Sequence, residues 1–363
     1  MRVAFVMEQH IGHRTFYQNL RHYVSIDRRI DPRWIEVSYF LEGGRFERSK
    51  WIPASLKGPL RGFQQSRSGL RSYPYDAAFF NTQVPAVFAM DMTSKIPCII
   101  STDITPIQYD LISELYGQKA VHQGIIQKLK YQVNRKVFHR AAHMVAWSSW
   151  VRDSLLTDYG LSEDKVSVIP PGIDLEAWRP GERFLQPPTG PIKILFVGGD
   201  FKRKGGNILL EAYRMLDPSK VELHLVTQEP VPHVPGIHIY HGLKPNSSEL
   251  IRLYRECHLF VLPTLAEAFG IAAIEALSSG LPVIASRVGG LVDIIDEGKN
   301  GFLVPAGDAG VLAETIRKVI SRTKDWPDLC KNARKSAEER FDARKNADRC
   351  ISLILEFAGR GHA

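Results

Sequence analysis

Short apolar runs alternate with amphipathic stretches along this chain, and the alternation happens twice. In the first half, a run at residues 3–7 leads to Gly12 and then to Phe16, Leu20, Tyr23 and Val24, spaced for the inward face of a helix. Further strands are predicted at residues 35–40, 77–80, 98–101 and 144–147, and a helix at 151–159 with Ser148 or Ser149 as its cap. Pro180, Pro187, Pro188 and Pro191 then mark a linker. A second series starts at residues 192–198 and continues with strands at 223–227, 237–240, 259–262 and 283–285. The last segment, 343–357, has helical apolar spacing at Ala347, Ile351, Ile354 and Leu355. Such alternation predicts α/β architecture, with parallel sheets flanked by helices. Ligands bind such sheets outside the carboxyl ends of the strands. A length of 363 residues suits two domains rather than one core.

Composition narrows the class. Apolar residues make up 44% and charged residues 24%, as in soluble globular proteins. No apolar run approaches the ~20 residues of a membrane span. Residues 1–8 read as a first buried strand and lack the apolar core and cleavage site of a signal peptide. Cys98, Cys257, Cys330 and Cys350 are scattered, with no C-x-x-C pair, so no zinc site is expected from them. Buried thiols in a reducing cytoplasm are the expectation.

The formal net charge is +8, and its excess lies in residues 1–180, which carry 23 Lys and Arg against 17 Asp and Glu. Between Arg48 and Tyr75 stand Arg48, Lys50, Lys57, Arg61, Arg67 and Arg71, with no acidic residue and with Trp51, Phe63, Tyr73 and Tyr75 interleaved. No nucleic-acid motif accompanies this stretch, and nucleic acid is not expected as a partner. A solvated loop competes here with a binding surface.

Two glutamates eight positions apart, Glu267 and Glu275, carry the strongest chemical signal. The first follows the apolar run 259–262 and a Pro263-Thr264 turn; the second lies inside a helix-like run. Eight residues is slightly over two helical turns, so both carboxylates can point toward one ligand at the strand end. Phe269-Gly270-Ile271 falls at the expected helix start, where unpaired N–H groups suit an anion such as a diphosphate. Carboxylates for hydroxyls beside an anion-binding helix end suit a nucleotide sugar. A surface helix with two solvated glutamates is the competing reading.

The full string changes the weight. Pro263-Thr264-Leu265-Ala266-Glu267-Ala268-Phe269-Gly270-Ile271, continued by Ser278-Ser279-Gly280-Leu281-Pro282-Val283, resembles the donor-site signature of retaining GT-B glycosyltransferases of family 4. The resemblance extends to Val288-Gly289-Gly290, Asn300-Gly301-Phe302 and Gly307-Asp308. Residues 166–174 resemble the family's link between domains. It implies two doubly wound, Rossmann-like domains facing a central cleft. Residues 1–180 would be the acceptor domain, 181–340 the donor domain, and 341–363 a helix crossing back to the first.

The resemblance also assigns roles. Gly198-Gly199-Asp200-Phe201-Lys202-Arg203-Lys204 resembles the loop whose Arg and Lys neutralise the leaving nucleotide. Many members place the Arg directly after the first glycine; here that residue is Gly199, so Arg203 would supply the charge beside Lys204. By the same token Glu267 binds the donor sugar, Glu275 the ribose, and the backbone near Leu243 the nucleobase. Gly12 corresponds to one glycine of a pair facing the donor phosphates. Ser101-Thr102-Asp103 corresponds to a His-Asp position, with Thr102 in place of the His, leaving Asp103 as the polar group on the acceptor side. A turn at Gly12 and a helix cap at Asp103 are the competing readings.

No D-x-D string has the context of a metal-dependent transferase, so neither metal nor cofactor is expected. The implied protein is a metal-independent, retaining transferase with a nucleotide-sugar donor and a glycan or lipid-linked acceptor. It would be cytoplasmic, with residues 48–75 meeting an anionic membrane at its inner face. A degenerate nucleotide-sugar-binding scaffold and another GT-B enzyme, such as an epimerase, are the rivals.

Overall fold

Among the described residues, twelve strands form two six-stranded sheets, and every strand pair is parallel. The structure, a computed structural model, describes residues 1–92, 94–117, 124–182, 185–232 and 234–360. The chain divides into two units. The first holds residues 1–111, 119–172 and 343–363; the second holds 112–118 and 173–342.

The first sheet is built from β1 (Arg2–Glu8), β2 (Asp31–Val37), β3 (Ala77–Asn81), β4 (Cys98–Thr102), β5 (His143–Ala146) and β6 (Val166–Val168). Its order is β2-β1-β3-β4-β5-β6. Strands β3, β4 and β5 bury every residue, and β1 all but its first. Strands covered by helices on both faces read as continuous apolar runs, which is why these segments stand out in the sequence. The edge strand β2 does not follow that rule. It ends at Val37 and begins at Asp31, including Pro32 and Arg33, since an edge position tolerates a proline and half-exposed polar side chains. β6 takes up the start of the segment that resembles an interdomain link.

In the helix Ile11–Ser25, Phe16, Leu20 and Val24 are buried, while Tyr23 is only half-buried. This helix packs on the C-terminal helix Ala343–Arg360. Asn346 of that helix donates to the Pro170 carbonyl at 3.1 Å and Arg349 to the Val168 carbonyl at 2.8 Å.

The second sheet holds β7 (Ile192–Val197), β8 (Val221–Val226), β9 (Ile237–Tyr240), β10 (Leu259–Leu262), β11 (Val283–Ser286) and β12 (Gly301–Val304). The order β12-β11-β10-β7-β8-β9 places β7 beside β10, although β8 and β9 lie between them in sequence. The chain therefore builds outward from β7 on one side, then returns to build outward from β10 on the other. The connections after β7 and β10 leave in opposite directions, which makes the carboxyl ends of this pair the place where sheets of this kind bind ligands. Every residue of β10 and β11 is buried. Among the described residues, no helix is long and apolar enough to cross a membrane.

Candidate active site

The loop after β7 and the loop after β10 are tied together at that switch point. Asp200 accepts from the Arg203 backbone N–H and from its Nε, both at 3.0 Å, which folds the basic loop on itself. Arg203 then reaches across: its Nη1 donates to the Ala266 carbonyl at 2.9 Å. In return, the Arg203 carbonyl accepts from Leu265 N–H at 2.8 Å and from the Thr264 hydroxyl at 3.1 Å. The guanidinium also lies 4.3 Å from the centre of the Tyr116 ring, a cation–π arrangement within the second unit. Lys204 Nζ pairs with the Glu267 carboxylate.

Two glycines permit this approach. Gly205, at φ +79°, ends the basic loop and caps the helix Gly206–Arg214; a Cβ there would strike the Pro263 carbonyl. Gly289, at φ +51°, passes over the Glu267 carbonyl, where a Cβ would collide as well. Gly290 N–H then donates to the Ala268 carbonyl at 3.0 Å. The Val288-Gly289-Gly290 turn thus backs the loop that carries Glu267.

The eight-residue spacing of the two glutamates is not two turns of one helix. The helix runs Ile271–Ser278, with Gly270 as its cap, so Glu267 sits four residues before it and only Glu275 lies on it. Buried Phe269 fills the turn between them. Glu267 is 8% exposed and faces Lys204. Glu275 is 5% exposed and accepts from the Tyr254 hydroxyl at 3.0 Å. Burial pushes the Glu275 carboxyl up to about 8, against the smaller opposing effect of the Tyr254 hydrogen bond. Burial also raises Tyr254 well above its ordinary value.

Arg203, Lys204 and Glu267 are therefore in one network, while the hydrogen-bond partner of Glu275 is Tyr254. Gly199 follows Gly198 in the loop, with no atom near the place a Cβ would take. Half-buried Leu243 follows Gly242 after β9. Gly12 is exposed in the first turn of its helix.

Asp103 follows β4 in the first unit, and His13 Nε2 lies 3.5 Å from its carboxylate. The His13 ring packs against Trp147, whose Nε1 donates to the Ser101 hydroxyl at 2.8 Å. Thr102 is fully buried and its hydroxyl lies 2.9 Å from Gln83 Oε1. A histidine thus accompanies Asp103 after all, but from the connection after β1 rather than from position 102. Sequence reading gave no role to His13, Tyr116, Asp200 or Tyr254. Only the placement of His13 within His10-Ile11-Gly12-His13, just after a strand, offered a signal.

Two Rossmann-type sheets, with a basic loop and an acidic loop interlocked at the switch point of the second, define a GT-B protein. The chain belongs to glycosyltransferase family 4: residues 27–177 match "Glycosyltransferase Family 4" and residues 191–322 match "Glycosyl transferases group 1". It is similar to the D-inositol 3-phosphate glycosyltransferase of Saccharomonospora viridis, with 28% identity over 246 residues, covering 61% of this chain and 57% of that protein. The chain spans about half the length of the curated relatives it matches. Its fold is similar to sucrose-phosphate synthase from Thermosynechococcus elongatus, with TM-score 0.77 at 17% identity over 99% of this chain and 100% of that one. It is also similar to Anabaena HepE solved with UDP-glucose, with TM-score 0.69 at 17% identity over 98% and 100% of the two chains.

Proposed function

We propose that this chain is a retaining, metal-independent glycosyltransferase that moves a sugar from a nucleotide diphosphate sugar to an acceptor hydroxyl. The observation that carries the reading is the lacing of Arg203 and Lys204 to the Glu267 loop at the switch point. In this reading the diphosphate takes over the charges that Asp200 and Glu267 balance in the free protein. Arg203 offers it a planar fork and Lys204 a compact cation. Released from Lys204, Glu267 accepts from the sugar hydroxyls, and Glu275 from the ribose. The helix start at Phe269-Gly270-Ile271 faces phosphate, as does Gly199, and the backbone near Leu243 faces the base. Asp103 receives the acceptor, oriented by His13. Catalysis is then a matter of position and charge.

A solved neighbour holds UDP-glucose, which makes uridine donors the first to try. Curated relatives are named for D-inositol 3-phosphate, and the basic excess of residues 1–180 suits a phosphorylated acceptor. The test is release of free UDP from UDP-glucose and related donors, with and without glycan, lipid-linked and inositol phosphate acceptors. Acceptor-dependent release is expected. Tight donor binding with no release on any acceptor would favour the scaffold reading, and interconversion of the donor without acceptor would favour an epimerase. Transfer is expected to persist in excess EDTA; activity lost to chelator and restored by Mg²⁺ or Mn²⁺ would sink the metal-independent mechanism.

The membrane reading of residues 48–75 takes a specific form. The stretch is not a loop: it includes the helix Ala54–Arg71. Arg61 is buried against Glu47, and Arg67 bonds Asp91 at 2.8 Å, so these two arginines already have carboxylate partners. Leu56, Leu60 and Phe63 form an exposed stripe on the helix, with Trp51 (95% exposed), Phe40 and Leu41 also exposed. Arg48, Lys50 and Arg71 are exposed as well. Apolar side chains beside cations suit an anionic lipid surface. Replacing Trp51, Leu60 and Phe63 together by serine should reduce co-sedimentation with phosphatidylserine vesicles at least tenfold and leave UDP binding unchanged. Equal sedimentation of the variant and the parent protein would remove the membrane from the proposal.

A further inference from the structure

Strand pairing in the second unit brings three metal-ligating side chains together away from the loops after β7 and β10. His224 of β8 and His238 of β9 are direct register partners. Glu222 stands two residues before His224 and so shares its face of the sheet. The two imidazoles stack, with centroids 4.8 Å apart and planes at 24°. The nearest ligand atoms of all three residues lie within 4.8 Å of one another. The position is mid-strand, whereas the Arg203–Glu267 network lies beyond the strand ends.

His224 supplies the second observation. It is 8% exposed, and its Nε2 is buried without a hydrogen-bond partner, 3.8 Å from the Glu222 carboxylate. Its Nδ1 is 2.9 Å from the Tyr240 hydroxyl. A hydrogen bond from Nδ1–H to that oxygen leaves Nε2 as a bare lone pair aimed toward Glu222. A lone pair facing a carboxylate, with no proton between them, is repulsive; a cation between them turns the repulsion into two bonds. Fixing one imidazole nitrogen so that the other can ligate is what outer-shell partners do in metal sites.

We infer that Glu222, His224 and His238 form a binding site for a transition-metal cation of the Zn²⁺ type. Two imidazoles and a carboxylate suit zinc, whereas Mg²⁺ and Ca²⁺ prefer all-oxygen shells. Tetrahedral bonds of ~2.0–2.1 Å set ligand atoms ~3.3 Å apart, so the widest pair must close by up to about 1.5 Å. His238 is exposed and Glu222 partly so, and both side chains have room to make that movement. Lys193 of β7 is the register partner of Glu222 and competes for its charge. The cation would cross-link the edge strand β9 to β8, a structural role separate from the transfer reaction.

The test uses untagged protein stripped of metal, titrated calorimetrically with ZnSO4 and melted with and without zinc. One Zn²⁺ per chain is expected, with a rise in melting temperature on binding, because a ligand of the native state stabilises it. His238→Ala and Glu222→Gln should each weaken binding at least tenfold and abolish the rise. Tyr240→Phe should weaken it about tenfold, the lower end for an outer-shell partner. Lys193→Met should tighten it. The far-ultraviolet circular dichroism of His238→Ala should match the parent protein, since the residue is exposed. Failure of the unmodified chain to bind zinc, equal binding by His238→Ala and Glu222→Gln, or equal affinity for Mg²⁺ would each overturn the inference.

Discussion

Lys204→Ala should lower kcat by about two to three orders of magnitude, the cost typical of losing one donor to charge that develops in a transition state. As the sugar leaves, negative charge accumulates on the diphosphate, and the proposed partner of that charge is the Lys204 ammonium. In the free protein this ammonium is paired with Glu267, which is 8% exposed. The substitution therefore also strands a largely buried carboxylate, and the melting temperature should fall with the rate. Lys204→Ala combined with Glu267→Gln separates the two effects: it should restore stability and leave turnover low. Near-normal turnover in Lys204→Ala would refute the electrostatic role of this loop.

Relative to Glu275→Gln, the parent protein should lose stability as pH rises from about 5 to about 8. The Glu275 carboxyl moves from 4.5 to about 8 because burial disfavours its charged form. Between those values the native state keeps a proton that the unfolded state has released. The contribution is thus fully present below about pH 4.5 and is lost as pH rises through about 8. At one pH unit per ~1.4 kcal/mol, the effect is on the order of a few kcal/mol. Glutamine keeps an oxygen for the Tyr254 hydroxyl and carries no charge, so the variant should be the more stable protein at pH 8. Denaturant melts at pH 5, 6.5 and 8 measure this, and parallel profiles for the two proteins would contradict it. On the functional side, Glu275→Ala should weaken binding of free UDP, whereas Glu267→Ala should spare UDP and impair recognition of the sugar. The reverse pattern in calorimetry would exchange the two roles.

The sequence was most legible where burial is continuous. The strand Leu259–Leu262, buried throughout, matches its apolar run residue for residue. β2 was shifted and β12 went unassigned as a strand, because β2 and β12 are edge strands whose half-solvated residues carry weak apolar signal. The residues of the basic and acidic loops were identified from their strings, yet the helical geometry linking Glu267 to Glu275 was not as the spacing suggested. The helix starts at Ile271 behind its Gly270 cap, where the string placed it, and that start leaves Glu267 outside the helix. The basic stretch 48–75 misled in another way. With no acid inside it, nothing local revealed that Glu47 and Asp91, 14 and 24 positions from Arg61 and Arg67, neutralise two of its charges.

By itself, the sequence determined the α/β class, the two series of strands and the residue types available for chemistry. Those follow from local periodicity, since a run of apolar side chains must be buried whatever its neighbours are. Tertiary structure alone decided the partners. Lys204 meets Glu267 across 63 positions because β7 and β10 are adjacent in the sheet while two strands intervene in the chain. Glu275 meets Tyr254 across 21 because one helix packs its carboxylate into the interior. A pairing of this kind depends on strand order and on which faces close together, and neither quantity is written in the spacing of residues along the chain.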